Sequence, residues 1–188
     1  MSELIELMKE TGAILEGHFR LTSGRHSDVY IEKFRLLERP DIVEEIGAMM
    51  AEPYSGEQIE VVFGAAIGGI LLSSAAARKL GTKGIFAERS DGELALRRGF
   101  HIDPGTTVLV VEDIVTTGGS VRELLQIAED HGATVAGVAC LADRTERGVD
   151  FGCPTTALVH YPAVSWEPDA CPLCMKDVPL TTRGRTGK

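Results

Sequence analysis

Residues 108–120, Val-Leu-Val-Val-Glu-Asp-Ile-Val-Thr-Thr-Gly-Gly-Ser, join an apolar run to a polar glycine-rich turn. The apolar run, residues 108–111, is short and rich in valine, which predicts a central parallel strand covered on both faces. Two adjacent carboxylates, Glu112 and Asp113, then stand at the carboxyl end of that strand. Open α/β sheets bind ligands at this edge. The stretch therefore predicts an α/β fold with a binding site beside the two carboxylates.

The turn at residues 116–120 precedes an apolar pattern over residues 121–128 that is typical of a helix. A helix N-terminus favours an anion through its unpaired N–H groups and its dipole, and glycines let the backbone close around the ligand. The carboxylates would repel a phosphate but can accept hydrogen bonds from the vicinal hydroxyls of a sugar. We therefore interpret residues 112–120 as a ribose-phosphate site. The alternative is a solvated acidic turn before an ordinary helix, which the strict order of strand, acidic pair, turn and helix disfavours.

This stretch resembles the phosphoribosyl-diphosphate (PRPP) motif of the type I phosphoribosyltransferases. The resemblance implies an α/β fold in which a parallel sheet is flanked by helices. A small hood would be added by the N-terminal segment, with the C-terminal tail as a further candidate contributor. It also implies that the two carboxylates are catalytic. The residues expected to bind PRPP are Glu112, Asp113, Ile114, Val115, Thr116, Thr117, Gly118, Gly119 and Ser120.

A second stretch, residues 19–27 (Phe-Arg-Leu-Thr-Ser-Gly-Arg-His-Ser), is similar to the amino-terminal signature of the orotate phosphoribosyltransferases. In that family the segment forms part of a hood over the base. From the residues alone, a β-turn between two strands accounts for the polar cluster equally well. The resemblance implies that orotate is bound by Ser23, Gly24 and Arg25, together with Thr116.

Residues 59–63 predict another core strand, and residues 64–69 (Gly-Ala-Ala-Ile-Gly-Gly) follow it and open a helix that runs to Lys79. In the family this position is the loop whose backbone N–H groups bind the leaving diphosphate. A plain tight turn between strand and helix is the alternative. The residues assigned to the diphosphate loop are Ala65, Ala66, Ile67, Gly68 and Gly69.

Two positions depart from the family pattern, because many relatives carry a lysine where this chain has Thr22 and Gly68. Arg25 and Lys33 are candidates to compensate for the missing lysine at position 22. At position 68, diphosphate binding would rest on the backbone and on Mg²⁺, which PRPP itself would mainly hold.

Residues 88–99 occupy the position of a mobile catalytic loop in the family, although this version is shorter and lacks the usual lysines and histidine. Only Arg89 is carried over, as a catalytic and PRPP-binding residue that reaches across a homodimer interface. Arg97 and Arg98 are either substitutes for the missing cations or part of a solvated hairpin, and the residues do not decide between these.

Residues 133–141 predict a buried strand, and Arg144 leaves its carboxyl end on the same sheet edge as Asp113. A guanidinium can grip a planar carboxylate with two parallel hydrogen bonds. The resemblance of Asp-Arg-x-Glu at residues 143–146 to the orotate phosphoribosyltransferases implies that Arg144 contacts orotate. A surface salt bridge with Asp143 or Glu146 is the alternative.

The tail contains Cys171-Pro-Leu-Cys174, a spacing known from metal knuckles and redox pairs. A single Cys-x-x-Cys is only half of a zinc site, so unligated thiols are our expectation for Cys171 and Cys174. Zinc, completed by Cys153, His160 or a dimer mate, is one alternative. A disulfide is the other.

The chain has 188 residues, of which 44% are hydrophobic and 25% charged, with a net charge of −9. These values favour one globular domain, which we divide into a hood (residues 1–35), a core (36–160) and a tail (161–188). The acidic balance recruits neither nucleic acid nor an anionic membrane. No signal peptide or apolar run of transmembrane length is visible, so we expect a cytoplasmic protein.

The sequence predicts an orotate phosphoribosyltransferase that uses PRPP and Mg²⁺. A purine phosphoribosyltransferase would share the central motif but want an aromatic wall in place of Arg144. A regulator that senses PRPP without catalysis is the rival from another class, and it would usually carry a DNA-binding domain or a basic face.

Overall fold

The computed structural model describes residues 2–21, 23–162 and 164–183, and for Ser2 only its backbone. Its helices are α1 (Ser2–Glu10), α2 (Phe34–Leu37), α3 (Pro40–Ala51), α4 (Gly68–Leu80) and α5 (Gly119–Asp130). Its strands are β1 (Ile14–Arg20), β2 (His26–Ile31), β3 (Val61–Ala65), β4 (Lys83–Ser90), β5 (Glu93–Leu96), β6 (Thr107–Val115), β7 (Thr134–Asp143), β8 (Thr155–His160), β9 (Ser165–Trp166) and β10 (Thr181–Thr182). None of the helices in these ranges is long and apolar enough to cross a membrane.

A six-stranded sheet forms the core, in the order β5-β4-β3-β6-β7-β8. Every pairing is parallel except that of β4 with the edge strand β5. This confirms the predicted α/β fold, with β6 inside the sheet. The strand is longer than predicted, however, because its pairing with β7 continues from Glu112↔Cys140 to Val115↔Asp143. Glu112 and Asp113 therefore lie within β6 and not beyond its end.

Helices cover both faces of this sheet, as the run of buried residues in β6 predicted. Successive strand residues point to opposite faces. Leu109 and Val111 pack in one core cluster with side chains of α3 and α4. Val108 and Val110 pack in the other cluster with side chains of α5. Because β6 is packed on both faces, its carboxyl end is held in a fixed position.

A separate four-stranded sheet, in the order β10-β1-β2-β9, forms what we call the hood. Its centre is the antiparallel hairpin of β1 and β2. The tail adds a strand on each side, with β10 beside Phe19 and β9 beside His26. The hood is thus made from both ends of the chain, which confirms that the tail contributes to it.

Residues 87–96 form a hairpin in which Ala87 pairs with Leu96 and Ser90 pairs with Glu93. The two turn residues, Asp91 and Gly92, have φ values of 53° and 98°. A positive φ at both positions is the geometry of a two-residue turn that matches the twist of the strands. The segment at the position of the family's mobile loop is thus a short hairpin in this structure. Its predicted catalytic role, and the choice between the two roles of Arg97 and Arg98, stay predictions.

Candidate functional site

The two carboxylates at the carboxyl end of β6 are almost completely buried, Glu112 at 7% and Asp113 at 4% exposed. The Asp113 N–H donates to Glu112 Oε1 at 3.0 Å, and the Ile114 N–H donates to Asp113 Oδ1 at 2.6 Å. Burial, and then the neighbouring charge of Asp113, raise the pKa of Glu112 to about 8. The raised pKa favours the protonated form of Glu112 in the ligand-free chain, and that form can both donate and accept a hydrogen bond.

Lys33 reaches this pair from the hood side of the molecule. Its Nζ lies 2.5 Å from Asp113 Oδ2, and the two side chains are 29% and 6% exposed. Lys33 lies two residues after the end of β2 and directly precedes α2. It was one of two candidates to replace a family lysine, and the structure places it in contact with a predicted catalytic carboxylate. Thr22, the position it was to compensate, lies outside the described residues.

The predicted diphosphate loop packs against the same carboxylate. A Cβ added at Gly68 would lie 1.8 Å from Asp113 Oδ2, and one at Gly64 would lie 2.5 Å from the carbonyl oxygen of Gly69. A side chain at position 68 would therefore require Asp113 to move, and the glycine lets this loop lie directly against the carboxylate. In the same loop Ile67 is 69% exposed and Ala66 is half-buried, whereas Ala65, Gly68 and Gly69 are buried.

The turn that follows β6 has the geometry expected of an anion site. Gly118 precedes α5 with a φ of 77°, and a Cβ there would lie 2.8 Å from the Phe151 ring. In the described structure no side chain caps the first turn of α5. Thr116, Thr117 and Gly119 are exposed. The first N–H groups of α5 and two hydroxyls are therefore accessible to a ligand.

Arg144 lies beside this turn, as predicted from its place after β7. Its backbone N–H donates to the Val115 carbonyl at 2.8 Å, and its Nη2 donates to the Val29 carbonyl of the hood at 3.1 Å. Burial lowers the pKa of Arg144. Its buried Nε has no partner among the described residues, and no ion pair with Asp143 or Glu146 forms there. A buried donor without a partner is costly, which makes it a candidate to bind a ligand.

Arg25, the charged member of the predicted orotate segment, contacts the tail. Its Nε donates to Ser165 Oγ at 2.9 Å and its Nη2 to the Ser165 carbonyl at 2.6 Å, and it pairs with Glu167. Ser23 and Gly24 form the tip of the hood hairpin, where Gly24 has a φ of 85°. No hydrogen bond joins this tip to Arg144 or Thr116 in the described ranges. Its predicted role in orotate binding stays a prediction.

Arg89 is held against α5 of its own chain. Its two terminal nitrogens lie 2.8 and 3.2 Å from the carboxylate oxygens of Glu123, which also accepts from the Leu94 N–H at 3.0 Å. Arg98 pairs similarly with Glu88, at 2.7 Å. The hairpin is therefore anchored to α5, the helix that follows the glycine-rich turn. The role of Arg89 on diphosphate is not decided by this contact.

A second group of polar side chains lies in the hood, where His18, His26, Cys171 and Cys174 have donor atoms within 4.8 Å of one another. The sequence had drawn attention to the two cysteines but suggested Cys153 or His160 as partners. His160 instead lies 3.5 Å from Asp143. The two hairpin histidines were missed because they carry no spacing signal of their own and lie about 150 residues before the cysteines.

Comparison with known proteins gives one family. Residues 35–151 match the family described as the phosphoribosyl transferase domain. The orotate phosphoribosyltransferase of Pelotomaculum thermopropionicum is 47% identical over 182 residues, which cover 97% of this chain and 96% of that protein. That of Thermotoga maritima is 42% identical and covers 97% of each chain.

Solved structures agree with this assignment. The orotate phosphoribosyltransferase of Aeropyrum pernix superposes with a TM-score of 0.68 at 26% identity, over 82% of this chain and 93% of that one. An adenine phosphoribosyl transferase of Trypanosoma brucei gives a TM-score of 0.62 at 19% identity, over 81% and 78%. The second likeness concerns the fold alone.

Proposed function

This chain belongs to the phosphoribosyltransferase family, and we propose that it transfers the 5-phosphoribosyl group of PRPP to N1 of orotate. The products are orotidine 5′-monophosphate and diphosphate, a step of de novo pyrimidine (UMP) biosynthesis. One observation carries the proposal most directly: the Arg144 guanidinium has a buried Nε without a partner among the described residues, and its residue follows β7 beside the end of β6, where its backbone N–H donates to the Val115 carbonyl. A group that could bind a carboxylate would thus belong to the same sheet edge as the proposed ribose-phosphate site.

The carboxylate pair would hold the ribose ring through its two vicinal hydroxyls. Both carboxyl groups can accept hydrogen bonds from these hydroxyls, and Asp113 has Lys33 as its other partner. As diphosphate leaves, the anomeric carbon gains positive charge. Because both carboxyl groups are buried, the negative charge beside that carbon acts in a medium that screens it weakly.

The two phosphorylated ends of PRPP would bind to the two turns of the site. The turn at residues 116–120 offers hydroxyls and the N-terminus of α5 to the 5′-phosphate. The loop formed by Ala65 to Gly69 would offer backbone N–H groups to the diphosphate. Arg89 and Lys33 are the cations that we assign to its charge, in place of the family lysine that is absent at Gly68.

Mg²⁺ fits this arrangement, because the site offers hard carboxylate oxygens and few positive side chains beside a diphosphate. Glu112 and Asp113 would face the ion, which PRPP would mainly hold. When bound, Mg²⁺ neutralises charge that develops on the leaving diphosphate. The chain itself would provide alignment of the two substrates and exclusion of water by the hood.

Orotate would bind with its carboxylate against Arg144, whose Nε lacks a partner in the described residues. Thr116 and the hood residues Ser23, Gly24 and Arg25 are assigned to the same base. No general base needs to be invoked, because N1 of orotate can be anionic. Correct placement of N1 over the anomeric carbon then supplies much of the rate.

A cytoplasmic homodimer is part of the proposal. All four cysteines are unpaired in the structure, which suits a reducing compartment. A two-fold partner would bring a second set of basic residues to a site that holds few cations of its own, and Arg97 and Arg98, which directly follow the hairpin, are exposed.

The test is a panel of bases offered to the purified chain with PRPP and Mg²⁺. Orotate should be consumed, seen as loss of its absorbance, whereas adenine, hypoxanthine and guanine should not react. Turnover of a purine would overturn the proposal in favour of a purine phosphoribosyltransferase. Binding of PRPP without turnover of any base would favour a PRPP-sensing regulator.

A further inference from the structure

Four side chains in the hood present nitrogen and sulfur atoms to one point. His18 comes from β1, His26 from β2, and Cys171 and Cys174 from the tail, and their donor atoms all lie within 4.8 Å of one another. His18, His26 and Cys171 are 3%, 5% and 0% exposed. Cys174 is exposed. Two imidazoles and two thiols that converge in this way are a set of metal ligands, and they lie outside the site described above.

The hydrogen bonding of His18 shows which of its nitrogens faces the centre of this cluster. Its Nδ1 lies 2.8 Å from the Val178 carbonyl oxygen, which can only accept, so Nδ1 carries the proton. Nε2 is then a bare lone pair. Metal-bound histidines almost always donate their other N–H to such a carbonyl or carboxylate, which fixes tautomer and ring orientation. The backbone of the tail thus prepares His18 as a ligand.

Three other donor atoms converge on this lone pair. His26 Nδ1 lies 3.1 Å from His18 Nε2, Cys171 Sγ lies 3.5 Å from it and Cys174 Sγ 3.8 Å. One lone pair accepts one strong hydrogen bond, so hydrogen bonding to His18 Nε2 satisfies only one of these neighbours. A single cation between the four atoms would satisfy them all.

Four of the six distances between these atoms lie near the edges of a tetrahedral zinc site. With Zn–N near 2.0–2.1 Å and Zn–S near 2.3 Å, tetrahedral geometry places N and N about 3.3 Å apart and N and S about 3.6 Å apart. The His18–His26 nitrogen pair is 3.1 Å apart, and Cys174 Sγ lies 3.3 Å from His26 Nδ1. The Cys171–His18 distance is 3.5 Å. A tetrahedral site of two sulfur and two nitrogen ligands is typical of zinc among the biological metals.

We propose that His18, His26, Cys171 and Cys174 bind one Zn²⁺ ion, which ties the N-terminal hairpin to the C-terminal tail. All four positions are filled by protein, so the site is closed and structural, with no open position for a substrate. Our expectation of unligated thiols is thereby replaced. The inference does not rest on the proposed activity, because its ligands lie outside the PRPP motif.

The local structure of the hairpin supports this assignment. Between Glu16 and Phe19, β1 contains one residue more than the facing part of β2, which makes a β-bulge. The successive residues His18 and Phe19 are both buried there. Bulges of this kind re-aim a side chain. The tip of the hairpin, which carries Ser23 to Arg25, lies between the two histidines in sequence. The metal would therefore hold the tip against the tail from both of its strands.

The experiment measures metal in the full chain, purified without a histidine tag, in the presence of a reductant and after dialysis against metal-free buffer. We expect elemental mass spectrometry to find about one Zn²⁺ per chain. Cys174→Ser, which alters the exposed ligand, and His26→Ala should lower this content by tenfold or more. Cys153→Ser and His160→Gln are the matched controls and should keep the wild-type content.

Less than a tenth of an equivalent in the wild type overturns the proposal, as does equal zinc content in Cys174→Ser and Cys153→Ser. If the ligand variants do not fold, the visible absorption spectrum of the wild-type chain loaded with Co²⁺ still tests the proposed coordination. Strong tetrahedral visible bands with a thiolate charge-transfer band are expected, and a weak octahedral spectrum would overturn the assignment. Removal of the metal by a chelator should also lower the melting temperature, and one equivalent of Zn²⁺ should restore it.

Discussion

Lys33 Nζ lies 2.5 Å from Asp113 Oδ2, so a side chain from the segment that joins the hood to α2 is paired with a carboxylate of the core strand β6. The Asp113 side chain is 6% exposed, and loss of its cation would leave a buried charge that only the Ile114 N–H contacts. Such losses at charged hydrogen bonds cost about 1.5–3 kcal/mol. We expect Lys33→Gln to lower kcat/KM for PRPP by roughly 10- to 100-fold.

The control for this variant is Lys79→Gln, which alters an exposed ion pair with Glu52 at 3.7 Å. It should change neither kcat/KM nor the melting temperature appreciably, because surface pairs contribute little. Steady-state kinetics with PRPP varied at saturating orotate measures kcat/KM for both variants, and thermal unfolding measures their melting temperatures. Lys33→Gln with wild-type kinetics would show that the contact has no role in the reaction.

Arg144→Ala should raise KM for orotate by tens to hundreds of fold while changing KM for PRPP little, because only the base is assigned to the guanidinium. Arg144→Lys should recover only part of this loss, since an ammonium cannot form the two-pronged contact. Arg147→Ala, three residues further and exposed, is the matched control. An equal rise in both Michaelis constants would instead indicate damage to the turn that Arg144 contacts through Val115.

Arg89 is expected to act in the site of the partner subunit. Two inactive homodimers, Arg89→Ala and Asp113→Asn, are mixed and their subunits allowed to exchange. A heterodimer would hold one intact site, so about half of the wild-type activity per dimer is expected. No recovery after demonstrated exchange would assign Arg89 to its own chain, where it already contacts Glu123.

The free energy of unfolding should depend on pH through Glu112. Its pKa is raised to about 8 in the folded chain by burial and by Asp113, so between about pH 4.5 and 8 the folded state holds a proton that the unfolded state has lost. Stability contributed by this group is therefore lost as pH rises through that window. Without PRPP or Mg²⁺, Glu112→Gln should be more stable relative to the wild type at pH 8 than at pH 5. The difference in free energy of unfolding between variant and wild type should rise by on the order of 3 kcal/mol between these two pH values. A constant difference across this range would contradict the raised pKa.

The sequence predicted the central part of this structure well, because the signals there are local. Residues 108–111 are apolar and successive, which identified β6 as a strand buried on both faces, and the glycines after it predicted the turn before α5. The place of Arg144 followed from the rule that parallel strands end at one edge. In this part of the fold the predicted length of β6 was wrong. The two carboxylates suggested that the strand ends before them, whereas its pairing with β7 continues past them.

What the sequence missed depends on contacts between distant residues. Lys33 was one of two candidates, and only the packing of the hood on the core distinguishes it from Arg25, which contacts the tail. His18 and His26 belong to no motif on their own, and they meet Cys171 only because the tail lies along both edges of the hairpin. A pairing of this kind has no local pattern to reveal it.

The most direct test of the account is the turnover of orotate by the double variant Glu112→Gln with Asp113→Asn, beside the wild type. The wild type should consume orotate in the presence of PRPP and Mg²⁺ and release orotidine 5′-monophosphate and diphosphate in equal amounts. The variant, shown to be folded by circular dichroism, should lose at least about 1,000-fold in kcat, since the charge beside the anomeric carbon is removed. Near wild-type turnover in the folded double variant would contradict the assignment of this site.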